Sequence, residues 1–379
     1  MSNTPYSLKG LIFYFLKLGT IGFGGPIPLA GYMERDLVED RGWITRDEFV
    51  RGLAFSKMCP GPFATQLGLY IAYIRSGVLG TTLVAIAFLA PSFLMVVGLA
   101  MIYLEYGALH WMEAVFAGVS AAVLGIMTRS AYKLTQTSVG KDAMLWILYC
   151  IAAITAVLLQ DEPLWLLLAA GVIYMIYRAR PKAKNISAAL FSINPSLYLL
   201  VIPVTIAAPS FFELFAYFFQ AGFSVFGSGM AIVPFLYGGV VTQHHWLTQR
   251  QFLDAVAVSM ITPGPLVITT AFIGYLISRL HGAFAAALGV FLPVYLFVIV
   301  LTPLYERLAK STSFQAFIKG VTAAATGAIV AAIINLARNS TMGPIEIGFA
   351  ISALAITFFL KIPEPIIILV AGILGVLLL

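Results

Sequence analysis

Long apolar runs separated by short polar loops dominate this chain, and their lengths predict a membrane protein. Runs at roughly 81–104, 112–130, 143–160, 163–178, 282–304, 316–337, 343–360 and 363–379 each approach or exceed the ~20 apolar residues with which a helix crosses a bilayer. A further run, Leu11–Gly24, follows directly on the opening MSNTPYSLKG without a small-residue cleavage site. It reads as a retained span rather than a cleaved signal peptide. Residues 46–58 and 62–75 differ: each is only ~20 Å long as helix, too short to cross alone. Between them lies Pro60-Gly61-Pro62. A Pro-Gly-Pro must break a helix, because each proline lacks an N–H and clashes with the turn before it while glycine frees the backbone.

The break is written twice. Ser56-Lys57-Met58-Cys59-Pro60-Gly61-Pro62 recurs 203 residues later as Ser259-Met260-Ile261-Thr262-Pro263-Gly264-Pro265. The same offset superposes Gly19 on Gly222, Phe23 on Phe226, Gly24 on Gly227, Val38 on Val241, Trp43 on Trp246, and WITRDEF (43–49) on WLTQRQF (246–252). Matches concentrated in Gly, Pro and Trp point to duplication, since accidental ones in an apolar chain would fall on Leu, Val and Ala. Beyond Pro91 and Pro293, offset by 202, the similarity thins into generic apolar helix. The reading divides the chain into a first repeat at 1–185, a linker at 186–210 and a second repeat at 211–379.

Charge decides how the halves are oriented. Loops near 129–141 (Arg129, Lys133, Lys141) and 178–184 (Arg178, Arg180, Lys182, Lys184) read as cytoplasmic, as does 306–319 (Arg307, Lys310, Lys319). The counterpart of that last loop, near 105–112, has no Lys or Arg, so the halves are inverted. The Pro-Gly-Pro segments are either re-entrant hairpins or broken spans. Hairpins place Arg35, Arg41, Arg46 and Arg51 inside, as the positive-inside rule prefers, and make residues 196–208 interfacial. Backbone of that kind at membrane depth is tolerated where it is buried in protein or lines a cavity.

Composition agrees: 61% hydrophobic and 10% charged residues cannot cover a soluble globule of 379 residues. The expected fold class is all-α, a polytopic protein of the inner cell membrane, with lipid as its surrounding partner. The net charge of +6 belongs to loops, and no basic run interleaved with aromatics suggests nucleic acid. Cys59 and Cys150 have neither disulfide nor metal spacing and read as packing residues. Histidines occur at 110, 244, 245 and 281 outside any hydrolase or metal motif, so no catalytic residue, cofactor or metal is expected. A Walker A sequence is absent.

Phe23-Gly24-Gly25-Pro26, Val38, Trp43, Phe49, Pro60-Gly61-Pro62 with Thr65-Gln66, and in the second half Phe226-Gly227-Ser228-Gly229, Val233-Pro234-Phe235-Leu236-Tyr237, Trp246 and Thr262-Pro263-Gly264-Pro265 with Thr269-Thr270 resemble the chromate ion transporter family in its long, two-half form. The resemblance covers roughly 10–105 and 212–305. It departs from the family at Pro28-Leu29, where an Ala-His pair is usual, at Ser228 inside the second glycine triplet, and at Lys57, where a neutral polar residue is commoner. It implies efflux of chromate, or of sulfate-like oxyanions, driven by the membrane potential or a proton gradient. A carrier for a different anion such as sulfate is the alternative. With both halves in one chain, a monomer or a homodimer would serve.

Such an anion needs donors in place of water. Helix N-termini supply unpaired N–H groups and about half a positive charge. Each half offers two: the Gly24-Gly25-Pro26 or Gly227-Ser228-Gly229 break, and the helix opening at Pro62 or Pro265. Pro at the first helical position costs nothing there. Thr65, Gln66, Thr262, Thr269 and Thr270 add side-chain donors, and Ser56 and Pro263 belong to the same tips. Lys17, matched by Gln220, is either a functional intramembrane lysine or one that snorkels. Lys57, matched by Met260, either attracts the anion or pairs with Glu34 or Asp47. Trp43 and Trp246 read as interface anchors. Among acids, Glu34, Asp47 and Asp254 are better placed than His244 and His245 for proton coupling.

Overall fold

The computed structural model describes residues 6–22, 26–106, 110–159, 164–179, 209–225, 229, 232–305, 311–339, 342–360 and 362–378. The described residues form helices and connecting turns, with no strand among them. The first half comprises α1 (Leu8–Ile21), α2 (Pro26–Met33) running into a π-helical stretch (Glu34–Asp40), α3 (Arg46–Met58), α4 (Phe63–Tyr106), α5 (His110–Ser138), α6 (Ala143–Leu159) and α7 (Leu164–Ala179). The second comprises α8 (Phe211–Ser224), α9 (Ile232–Leu236) with its own π-helical stretch (Tyr237–Gln243), α10 (Gln249–Ile261), α11 (Thr269–Leu301), α12 (Thr312–Asn339), α13 (Pro344–Phe359) and α14 (Glu364–Leu378). The π stretches correspond residue for residue at the 203 offset.

Two hairpins open each half. α1 is a half-length arm of ~21 Å by its 14 residues, not the span expected of Leu11–Gly24. The chain returns after it: Tyr6 packs edge-on against Trp43 at 5.9 Å, and a Cβ on Gly10 would lie 2.7 Å from the Trp43 ring. α3 then starts at the same end. Thr45 and Glu48 form a capping box there, each side chain accepting the other's backbone N–H, and Thr248 with Gln251 repeats it at α10. Beyond the Pro-Gly-Pro tip the chain returns again, for Ser76 bonds the Tyr6 hydroxyl and Arg75 pairs with Glu48. The re-entrant alternative is therefore the one the backbone adopts.

The chain from Phe63 to Tyr106 reverses at Ser76–Gly77, between the two segments expected at 62–75 and 81–104. Gly77 takes φ +58°, ψ −152°, and a Cβ on Gly80 would meet the Ala72 carbonyl at 3.2 Å, although eight residues of straight helix would separate those turns by ~12 Å. α11 reverses likewise at Ser278–Arg279, where Gly274 and Gly282 bring their backbones together. After each reversal a full-length helix crosses the molecule. The two crossings run antiparallel: Thr82 bonds Tyr295 at 2.6 Å, while Phe93 meets Phe284 at 4.9 Å. The halves are thus inverted.

The halves also exchange their last helix pairs. α5 packs on α13 and α14 of the second half, and α12 packs on α6 and α7 of the first. Glycines permit these crossings. A Cβ on Gly118 or Gly125 would strike the carbonyls of Ala371 and Ala350 at 2.4 and 2.3 Å; on Gly320 or Gly327, those of Ala170 and Tyr149 at 2.5 and 2.3 Å. The repeat therefore continues at offset 202 through the stretch whose sequence reads as generic apolar helix. Val294 and Val298 from α11 complete the core around the first-half hairpins, and Val96 and Ala100 from α4 enter the second-half core.

Outward faces stay apolar. Ile86, Leu94, Ile154, Leu158, Ile351 and Ile373 are each at least 60% exposed, which suits contact with lipid chains rather than water. Four helices among the described residues are long and apolar enough to cross a membrane. Residues 196–208, expected at the interface, lie outside the described residues.

Candidate functional site: four helix breaks joined across the halves

Each Pro-Gly-Pro turns on a glycine that an L-residue could not replace without strain: Gly61 has φ +136° and Gly264 φ +108°. The tips reach across to the opposite half. Gly61 N–H donates to the Val225 carbonyl at 2.6 Å, and Gly264 N–H donates to the Gly22 carbonyl at 3.1 Å. Gly22 and Val225 are repeat partners, each ending the first helix of its half, so the two bonds form a symmetric exchange. Gly19 and Gly222, one turn earlier, let these first helices lie against the crossing arms of α4 and α11. A Cβ on either would lie 2.2 Å from the Phe88 carbonyl or 2.6 Å from that of Val290.

The structure thereby gathers Pro60, Gly61 and Pro62 with the first-helix break of the second half, and Pro263, Gly264 and Pro265 with that of the first. Of the glycine breaks, Gly24, Gly25, Gly227 and Ser228 lie outside the described residues. Pro26 opens α2, and Gly229 lies near Leu266 and Val267. Ser56 and Ser259 are buried but donate to the carbonyls of Gly52 and Val256 within their own helices. Thr262 donates to the Ser259 carbonyl in the same way.

The helix openings differ between halves. α4 begins directly at Phe63, with Gln66 N–H bonded to the Pro62 carbonyl at 2.9 Å. Its earlier N–H groups have no partner within the helix. Thr65 and Gln66 are fully buried, and Thr65 Oγ1 and Gln66 Oε1 lack hydrogen-bond partners. Gln66 Nε2 donates to the Pro60 carbonyl, so this residue ties the tip together instead of holding a free donor. In the second half a 3-10 turn, Leu266–Ile268, precedes α11, and Thr269 and Thr270 donate back to Leu266 and Val267 at 2.6 and 3.0 Å.

Lys57 lies in the last turn of α3 with an exposed side chain. No ion pair joins it to a described carboxylate, and Glu34 pairs with Arg46 at 3.4 Å. Lys17 is also exposed, on the outer face of α1. Sequence reasoning missed the acceptors Gly22 and Val225, which share no side chain, and Ser92, which lies under the second tip. Ser92 donates to the Gly19 carbonyl at 3.1 Å, and a Cβ on Gly264 would fall 2.0 Å from its oxygen. The residue after Pro91 carried no signal, because its repeat partner is Val294.

Inverted halves whose re-entrant hairpins interlock at the centre define a membrane transporter architecture. The chain belongs to the chromate transporter family: the family model described as "Chromate transporter" matches residues 9–175 and 212–376. It is 47% identical over 372 residues to the chromate transport protein of Cupriavidus metallidurans, covering 98% of this chain and 93% of that one. It is 46% identical to a probable chromate transport protein of Synechococcus elongatus, covering 99% and 96%. It is 29% identical to the chromate transport protein of Pseudomonas aeruginosa, covering 98% and 92%. No solved structure matches.

Proposed function

We propose that this protein exports chromate, and oxyanions of sulfate shape and charge, across the inner membrane by cycling the contacts among its four hairpin tips. The observation that carries the reading is the reciprocal pair of bonds, Gly61 to Val225 and Gly264 to Gly22. Each ties a re-entrant tip of one half to the helix break of the other. Rocking one half against the other must break or remake both, which is the coupling an alternating-access carrier requires.

The anion binds at the opening of α4. Unpaired N–H groups of its first turn and the free Thr65 hydroxyl supply donors without a buried counter-charge, so release stays affordable. Lys57 adds attraction from the tip's flank. Arg35, Arg41, Arg46, Arg51 and Arg75 cluster at the end where the first-half hairpins begin, and the positive-inside rule makes that end cytoplasmic. Membrane potential, negative inside, then drives a dianion outward.

Purified protein in proteoliposomes tests this. Chromate-for-chromate counterflow is expected, and Pro60→Ala/Pro62→Ala should abolish it while leaving the protein folded. Normal flux in that variant would remove the tip mechanism. Competition by sulfate, molybdate and phosphate separates a chromate carrier from one for another anion, because a carrier of sulfate would be inhibited by sulfate more strongly than by chromate.

A further inference from the structure

Asp254 lies on α10, the arm that leads to the second Pro-Gly-Pro, and is 1% exposed. Its carboxylate oxygens accept from the Tyr103 hydroxyl at 2.8 Å and the Ser120 hydroxyl at 2.9 Å. Both donors belong to the first half, Tyr103 at the end of α4 and Ser120 in α5. The buried carboxylate thus ties the arm of one half to α4 and α5 of the other. No cation among the described residues touches it. Arg250, one turn earlier on α10, is the one charge acting on it, and that guanidinium donates to the Glu113 carbonyl at 3.0 Å instead.

The other elements packed on α10 bring few titratable groups. Glu113 of α5 acts on Tyr103, and Glu364 of α14 lies by Arg129 and Lys133. Arg279 and His281 sit at the reversal of α11, and the π-helical stretch before α10 carries no charge. The repeat partner of Asp254 is Arg51, and that of Tyr103 is Tyr305, which packs against Phe55 at 5.4 Å. The matched place around α3 therefore has the tyrosine, supplied by the second half, but not the acid.

We propose that Asp254 is the proton-coupling residue of the carrier, gripping α4 and α5 as a carboxylate and releasing α10 when protonated. The inference rests on the transport reading above. Hydrogen bonds to an ionised acceptor are roughly twice as strong as neutral ones. Protonation adds one proton to a carboxylate oxygen, breaks no covalent bond, and leaves the two hydroxyls competing for a weaker acceptor. The proton enters from the end of the molecule bearing Arg250 and Glu113, and leaves to the other side once α10 has moved.

The test uses the full chain in proteoliposomes with two readouts, chromate counterflow and chromate flux under an imposed pH gradient. Asp254→Asn keeps the side-chain shape without a titratable proton, so counterflow should persist and stimulation by the gradient should be lost. Tyr103→Phe removes one bond to the carboxylate, which favours the protonated form and should move the pH profile of flux to higher pH. Wild-type counterflow with undiminished gradient stimulation in Asp254→Asn overturns the inference while sparing the transport reading. Absence of counterflow in wild-type protein overturns both. Should Asp254→Asn fail to fold, the profile of Tyr103→Phe decides: an unshifted profile overturns the inference.

Discussion

The two Pro-Gly-Pro hairpins, α3 to the first arm of α4 and α10 to the first arm of α11, share a backbone and differ in chemistry. Capping boxes, C-terminal bonds (Cys59 to Phe55, Thr262 to Val258), left-handed glycines and cross-half tip bonds correspond one to one. Side chains do not. The first hairpin has Lys57 where the second has Met260, a free Thr65 hydroxyl where the second has threonines bonded to their own backbone, and Arg51 where the second has Asp254. Duplication supplied a symmetric frame that can be traversed from either side. In the proposed mechanism the asymmetric side chains divide the work, with anion attraction on the first hairpin and the buried acid on the second.

Breaking the frame should cost most. Gly264→Ala forces both a strained φ and a Cβ 2.0 Å from Ser92 Oγ, whose own bond holds Gly19. We expect a loss of about 3 kcal/mol in unfolding free energy and loss of flux. Gly61→Ala meets only the flexible Gln66 side chain at 2.5 Å, and should cost about half as much. Thermal unfolding of the two variants in detergent checks the order. A more severe effect in Gly61→Ala would break the proposed difference in tip packing.

That frame was partly legible in the chain. Gly, Pro and Trp at a constant offset marked the tips because those residues answer backbone demands that few others meet. The later helices hid their symmetry, since a crossing of apolar helices requires one small residue per contact and tolerates any hydrophobe elsewhere. Gly118 with Gly320 and Gly125 with Gly327 are among the few matches that recorded it. The exchange of helix pairs left no local trace, being a matter of which half a face meets. The reversals at Ser76–Gly77 and Ser278–Arg279 fall on short polar interruptions, which mark where apolar runs end but not which way the chain turns next. At the site, tip backbones were readable, whereas the acceptors at Gly22 and Val225 are carbonyls that no residue type announces.

Exchanging charge between hairpins sharpens the comparison. Lys57→Gln should weaken apparent chromate affinity about 10-fold, equivalent to ~1.4 kcal/mol, without altering the unfolding temperature. Met260→Lys, which restores the charge at the matched place, should recover part of that loss in a Lys57→Gln background. Counterflow at varied chromate concentration reads both. An unchanged affinity in Lys57→Gln would return this lysine to a solvated surface role.

Hydroxyl chemistry offers a smaller contrast. Thr65→Val removes a donor that has no other partner, and should weaken affinity about 3-fold if one modest hydrogen bond to the anion is lost. Thr269→Val deletes a hydroxyl already committed to the Leu266 carbonyl, so affinity should hold while stability falls slightly. The reverse pattern would move the anion to the second tip.

The smallest effect concerns the reversals themselves. Gly77 turns α4 at φ +58°, and Arg279 performs the same turn at φ +53°, ψ −143°, a conformation nearly reserved for glycine. Arg279→Gly relieves strain of roughly 1–3 kcal/mol but adds freedom to the unfolded chain worth about 1 kcal/mol, so a net gain of only ~0.5 kcal/mol is expected. Gly77→Arg should lose about the same ~0.5 kcal/mol, since the strain it introduces is partly offset by the freedom it removes from the unfolded chain. Equal and opposite shifts in unfolding temperature would mean the turns are interchangeable. A gain in stability at Arg279→Gly accompanied by slower flux would show that the second half keeps its strained turn for movement of the hairpin beside it.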